Sequence, residues 1–178
     1  MIIMINGAFG VGKTTVSNEL LKQIDNSMLF DPEEIGGMLR ELLPSYIKED
    51  EAPTGDFQDL ELWRELTVSI AKRTIEKYQK NLIVPMTIRK PDYFHAIFDG
   101  FKQLDHETYH FCLTASKATI TQRLLYRGEI YGSWAFQQTE ACLDAFSSGG
   151  FGEYISTENR YVEDVVEIIM RRLVMPIL

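Results

Sequence analysis

Met1-Ile2-Ile3-Met4-Ile5-Asn6 runs directly into Gly7-Ala8-Phe9-Gly10-Val11-Gly12-Lys13-Thr14-Thr15. A short apolar run meets a glycine-rich turn, and a polar, helix-forming segment follows. The turn fits the G-x-x-x-x-G-K-[ST] spacing of a phosphate-binding loop. Glycine at these positions permits positive φ and brings backbone N–H groups, from Gly7 through Ala8, Phe9, Gly10, Val11 and Gly12, against an anion with no Cβ in the way. The helix that starts at the loop adds its unpaired N–H groups and its partial positive charge. Lys13 is placed to reach the β- and γ-phosphates of a bound nucleotide, the Thr14 hydroxyl to ligate Mg2+, and Thr15 to reach the α-phosphate. A turn that needs glycine for geometry alone is the plainer reading. With glycine at about 7% of residues, a chance match in a chain of this size arises about once in a hundred or less.

Outward from the loop, strands and helices alternate. Ile2–Asn6, Ser27–Phe30, Leu82–Met86, Tyr109–Thr114 and the short Glu153–Ser156 read as strands. Between and after them, helical periodicity spans about 13–24, 32–43, 59–80, 91–103, 117–127, 134–146 and 160–174. Alternation of this kind predicts an α/β fold with a five-stranded parallel sheet covered on both faces. Its ligand would lie at the carboxyl ends of the strands. The positions to watch are therefore Asp31, Thr87, Ser116 and Thr157. Pro85, near the end of the third strand, predicts that pairing stops there. Lys48 to Asp59 is acidic and turn-rich and is expected to be a mobile loop.

The 178 residues carry a formal net charge of −8 and form one expected domain, 1–178. That charge argues against sequence-independent nucleic-acid binding and against an anionic membrane surface. No apolar stretch approaches a membrane span, and the short N-terminal run has no basic flank, so a cytoplasmic protein is expected. Cys112 and Cys142 lie in apolar and helical surroundings with no metal-binding spacing and are expected to be buried free thiols. His95, His106 and His110 show no ligand spacing.

Asp31 follows the second strand. It can orient, or take a proton from, an acceptor hydroxyl, and it can equally cap the helix that Pro32 opens. Arg123 and Arg127 share a helix face and lead into the Gly128–Ser133 break. A solvated face is the plain reading. The functional one is a small lid over about 123–133, where one arginine stacks on a base and the other neutralises transferring phosphate. Arg89, and less strongly Arg40 and Arg64, are candidates to hold an acceptor. Trp63 and Trp134 could stack on a ring, but at helical spacing are expected in the core. The third strand ends without the Asp or Glu that many such proteins use behind Mg2+, leaving Thr14, water and the phosphates to hold the metal.

Taken together, the loop, Asp31, the arginine pair and the Ile155-Ser156-Thr157-Glu158-Asn159 tail resemble the nucleoside and nucleotide kinase-like branch of P-loop proteins. More narrowly, Ile5-Asn6-Gly7-Ala8-Phe9-Gly10, Phe30-Asp31-Pro32-Glu33, Leu62-Trp63-Arg64, Ile83-Val84-Pro85-Met86-Thr87-Ile88, Thr114-Ala115-Ser116-Lys117 and Ser133-Trp134-Ala135 are similar to the bacterial tunicamycin resistance protein family. The resemblance implies a three-layer P-loop NTPase fold with nucleotide kinase-like strand order. It also implies ATP binding and resistance to a uridine-containing antibiotic. Two readings follow: a phosphotransferase using ATP and Mg2+ on a small, nucleoside-like or antibiotic acceptor, and a non-catalytic protein that sequesters such a compound. A regulatory GTPase is disfavoured, because neither N-K-x-D nor a D-x-x-G after the third strand is present. Oligomeric state is not legible in the sequence.

Overall fold

The computed structural model describes residues 1–174. Its strands are β1 (Ile2–Gly7), β2 (Ser27–Leu29), β3 (Asn81–Pro85), β4 (Thr108–Thr114) and β5 (Glu153–Ser156). The helices are α1 (Lys13–Gln23), α2 (Pro32–Leu42), α3 (Ser45–Glu51), α4 (Glu61–Tyr78), α5 (Pro91–Leu104), α6 (Lys117–Tyr126), α7 (Trp134–Ser147) and α8 (Val162–Val174). The strands form one parallel sheet in the order β2-β3-β1-β4-β5. This is the three-layer arrangement that the loop and the alternation predict.

Successive side chains on a strand point to opposite faces, so an all-apolar strand feeds two cores. Ile2 and Met4 of β1 pack with Trp63, Leu82, Val84 and Phe101 on the face covered by α4 and α5. Ile3 and Ile5 pack with Val16, Leu20, Val165 and Val166 under α1 and α8. Pro85 closes β3 for a specific reason. The Met86 N–H donates to Ile5 O at 3.0 Å, towards β1, so the alternate residue Pro85 faces the β2 side. There β2 has already ended, with Leu29 opposite Ile83. A residue without an N–H costs nothing at that point.

Two expectations need correction. The 48–59 stretch contains the end of α3 and a 3-10 turn, Phe57–Asp59. Its order comes from Phe57, whose ring stacks edge-on against Trp63 at 5.4 Å and lies over Gly36. A Cβ on Gly36 would come within 2.4 Å of that ring. Trp134 is not a core residue. It is 60% exposed, whereas Trp63 is fully buried and donates from Nε1 to Pro32 O at 2.9 Å.

Asn6 was not singled out by the sequence, yet it fixes how the loop leaves β1. Its buried amide accepts from Ile88 N–H at 2.9 Å and from Gly7 N–H at 2.8 Å, and donates to Ile88 O at 3.0 Å. Thr87 adds a bond from its hydroxyl to Gly7 O at 3.0 Å. Asn6→Ala strands these buried backbone groups without partners. It is expected to lower stability by about 2–4 kcal/mol in denaturant unfolding, with unchanged m-value.

Candidate nucleotide and acceptor site

The phosphate loop is shaped by positive φ at Gly7 (142°), Gly10 (79°) and Gly12 (111°). At Gly7 close packing forces the choice as well, since a Cβ there would lie 2.6 Å from Leu113 O. Lys13 opens α1. Its Nζ donates to Gly7 O at 2.9 Å and to Ala8 O at 3.0 Å and lies over the Phe9 ring at 5.4 Å. The cation is thus folded back on neutral groups of its own loop. Burial is the main cause that lowers its pKa to about 8, and the nearby Glu33 carboxylate partly opposes this. A half-buried ammonium in a glycine-rich loop is a fitting partner for a polyphosphate. The hydroxyls of Thr14 and Thr15 stand exposed beside it, where Thr14 could hold Mg2+. No carboxylate follows β3, and Thr87 occupies that place. Among the described residues no group of three His, Cys, Asp or Glu could hold a metal alone.

Arg123 and Arg127 sit at the end of α6, where Gly128 takes φ 87°. The Gly128 N–H donates to Leu125 O at 3.0 Å and the Glu129 N–H to Leu124 O at 3.1 Å, a Schellman closure. Arg123 donates to Val11 O at 3.0 Å, to the Thr157 hydroxyl at 2.9 Å and to Thr157 O at 2.9 Å. It therefore brackets the phosphate loop to the turn after β5. Arg127 is exposed and lies within electrostatic reach of Lys13. Both arginines line a cleft of about 210 Å³ with Gly12, Thr15, Thr157 and Tyr161.

On the other side of the loop is a larger cavity, about 410 Å³, walled by Phe9, Phe57 and Trp134 and by Glu33, Arg40, Asp56, Gln58, Thr87, Arg89 and Gln138. Phe9 and Trp134 meet edge-on at 4.9 Å, so the start of α7 rests on the loop itself. Of the three candidate arginines, Arg40 and Arg89 reach this wall. Arg64 is spent on the carbonyls of Gln58, Asp59 and Leu60 and on the Tyr93 ring.

Asp31 caps α2, its Oδ1 accepting from the Glu33 N–H at 2.9 Å. Of the acids at the start of α2, the one that lines the cavity is Glu33, two residues on, and Asp56 lines it from the turn before Phe57. Glu33 is an exposed residue, but enough protein surrounds its carboxyl that desolvation, and then the neighbouring Asp31, raises its pKa above the ordinary value. The sequence singled out Asp31 on this turn and passed over Glu33, which is the acid that lines the cavity. A helix N-cap turns its side chain back on the backbone, which leaves the following residues to face outward. Cys112 and Cys142 are buried free thiols, and burial pushes Cys112 up to about 12. Among the described residues no helix is long and apolar enough to cross a membrane.

Comparison with known proteins agrees with this architecture. The Deinococcus radiodurans tunicamycin resistance protein superposes with a TM-score of 0.77 at 28% identity, over 97% of this chain and 94% of that one. A gluconokinase from Sinorhizobium meliloti (TM-score 0.62, 13% identity, 97% and 90% covered) shares the fold. So does the shikimate kinase of Acinetobacter baumannii (0.60, 15%, 97% and 92%). No curated protein matches in sequence. Residues 2–148 match the model of the family AAA_33, described as an AAA domain, and the chain belongs to that family.

Proposed function

We propose that the protein is an ATP-dependent phosphotransferase acting on a small, nucleoside-like or antibiotic acceptor. One observation carries this reading. Phe9 of the phosphate loop lines the second cavity, its ring lies 5.4 Å from Lys13 Nζ, and Glu33 of the cavity wall is within electrostatic reach of Lys13, so the two regions adjoin. The aromatic walls suit a flat ring, and Arg40 and Arg89 suit polar or anionic substituents.

In this reading the loop N–H groups and Lys13 hold the β- and γ-phosphates. Thr14 would hold Mg2+, which would offset phosphate charge. A carboxylate on the first turn of α2, Glu33 or Asp31, orients the acceptor hydroxyl and receives its proton. The acceptor oxygen bonds to the γ-phosphorus while the bond to the leaving ADP oxygen breaks. Arg127 neutralises charge on the transferring group. Arg123 keeps the nucleotide cleft in register with the loop.

The second reading is a protein that sequesters its ligand without turnover. It draws support from Thr87 standing where an acid would assist Mg2+, and from the tunicamycin resistance protein that the chain resembles. A thermal-shift screen of nucleosides and aminosugar antibiotics, run with ATP and Mg2+, tests the acceptor class. A nucleoside-like compound is expected to raise Tm in the wild type and not in Arg89→Ala. No shift with any of them would remove the acceptor assignment.

The lid reading makes its own prediction. Tyr126, Ile130 and Tyr131 are 93%, 74% and 71% exposed around the Gly128–Gly132 turn, with little holding them down. Residues 123–133 are expected to gain hydrogen-exchange protection when an ATP analogue binds. Arg127→Ala should cost more in turnover than in ATP affinity. Equal protection with and without the analogue would leave Arg127 a static surface residue.

A further inference from the structure

Several polar side chains line the cavity beside the phosphate loop, and most of them are already engaged. Arg40 donates to Gly55 O at 3.2 Å and lies over the Phe57 ring at 4.8 Å. Asp56 accepts from the Gln58 N–H at 3.0 Å. Thr87 gives its hydroxyl to Gly7 O at 3.0 Å. Gln138 has neither end of its amide held among the described residues. It can turn to offer a donor or an acceptor, so it discriminates against neither.

Gln58 differs. Its Nε2 donates to Thr87 O at 2.8 Å. A carbonyl oxygen only accepts, so this bond decides which end of the amide faces it. The opposite atom, Oε1, takes no hydrogen bond among the described residues and is not enclosed by protein. The Gln58 backbone is held as well. Its N–H bonds to Asp56, and its carbonyl accepts from Arg64 Nη1 at 2.7 Å. The Arg64 guanidinium is itself seated over the Tyr93 ring at 4.4 Å. Thr87 is fixed in turn, because the next residue, Ile88, shares two bonds with the Asn6 amide. A free acceptor atom is thus carried on a side chain with little freedom left. Fixing a group in advance lowers the ordering cost that binding would otherwise meet.

Arg89 is the complementary group. It lines the same cavity, half-buried, with no hydrogen-bond or carboxylate partner among the described residues. Burial raises the pKa of Cys142, another wall residue, and the charges of Lys13 and then Arg89 oppose it, so the guanidinium acts on this wall. The cavity therefore offers one fixed acceptor and one uncommitted donor, between the aromatic rings of Phe9, Phe57 and Trp134.

We propose that Gln58 is a specificity-determining residue of the acceptor site: its Oε1 accepts from a ring N–H of the ligand, and Arg89 donates to the ring carbonyl beside that N–H. The ligand class is then a flat ring with a lactam or imide edge. This rests on the nucleoside-like reading above and narrows it to bases carrying such an edge. A ring with an unprotonated nitrogen at that place sets a lone pair against Oε1 and is disfavoured.

The test is calorimetry on the full chain loaded with a non-hydrolysable ATP analogue and Mg2+. It is titrated with uridine and 3-methyluridine, and with inosine and 1-methylinosine. Each pair differs only by a methyl group in place of the ring N–H. In the wild type, the N–H member of at least one pair is expected to bind at least about tenfold more tightly than its methylated partner. Gln58→Met keeps the length of the side chain and has no acceptor oxygen. In that variant the difference is expected to close, because the N–H member weakens and the methylated one does not. A residue that merely holds the wall would weaken both members alike. Equal loss of both in Gln58→Met, or an unchanged difference, overturns the proposal. So does equal binding of both members of each pair by the wild type, which leaves the nucleoside-like reading in place and needs no variant. Binding of none of the four removes that reading and this proposal with it.

Discussion

Lys13→Ala is expected to weaken ATP binding by roughly 2–4 kcal/mol, because a charge-assisted contact to phosphate disappears from a site built around it. The ammonium now rests on the Gly7 and Ala8 carbonyls and against the Phe9 ring, neutral groups for which an anion is the stronger partner. Its titration gives the same assignment a second, independent signature. In the free protein burial lowers the Lys13 pKa to about 8, so the group is charged at neutral pH and loses its proton above that. Bound phosphate favours the charged form and raises the pKa. ATP affinity should therefore fall as pH rises above about 8, by at most roughly tenfold per unit, until the bound-state pKa is passed. The fall should be absent in Lys13→Ala. For the stability of the free protein the sign is opposite. The unfolded chain keeps the Lys13 proton to higher pH, so this group's burial penalty is full below pH 8 and fades as pH rises towards 10.5. Calorimetry of both proteins across pH 7 to 10 checks the pattern, and equal affinities in a folded variant would remove the loop assignment.

The second large effect separates two acids on one helical turn. Glu33→Gln is expected to lower phosphoryl transfer by about 10²–10⁴-fold while leaving ATP affinity near that of the wild type, since proton acceptance is lost and hydrogen bonding to the acceptor is partly kept. Its pKa, raised by burial and by Asp31, brings the carboxylate closer to the range in which a base works at neutral pH. Asp31→Asn should change stability little, because asparagine still accepts from the Glu33 N–H. If Asp31 carries the proton itself, Asp31→Asn lowers transfer by about 10²-fold or more. If it only caps α2 and tunes Glu33, the loss is smaller than that of Glu33→Gln. Single-turnover rates of the two variants rank the roles.

β1, β3 and β4 were legible because burial on both faces makes them largely apolar runs, and β1 and β3 are bounded by glycine or proline. The loop was legible because its spacing is chemical as well as structural. Other features depend on contacts distant in sequence. Asn6 reads as an ordinary strand end until Ile88 is placed beside it, 82 residues away. The 3-10 turn at Phe57–Asp59 depends on Gly36 leaving room for Phe57. Trp134 shares helical spacing with core residues, but α7 packs so that its first turn faces the cavity. Arg123 was expected in a lid. Its three bonds to Val11 and Thr157 require β5 beside β4, which the α6 sequence alone does not show.

The central claim is that the loop and the cavity it adjoins at Phe9 form one transfer site. The most direct test follows label from [γ-32P]ATP, with Mg2+, into nucleoside-like acceptors, using wild type and Glu33→Gln side by side. The account predicts labelled product and ADP in equal amounts with the wild type, dependent on acceptor, and at least about a hundredfold less with Glu33→Gln. An acceptor that binds tightly in the presence of ATP and yet takes no label from the wild type would contradict it.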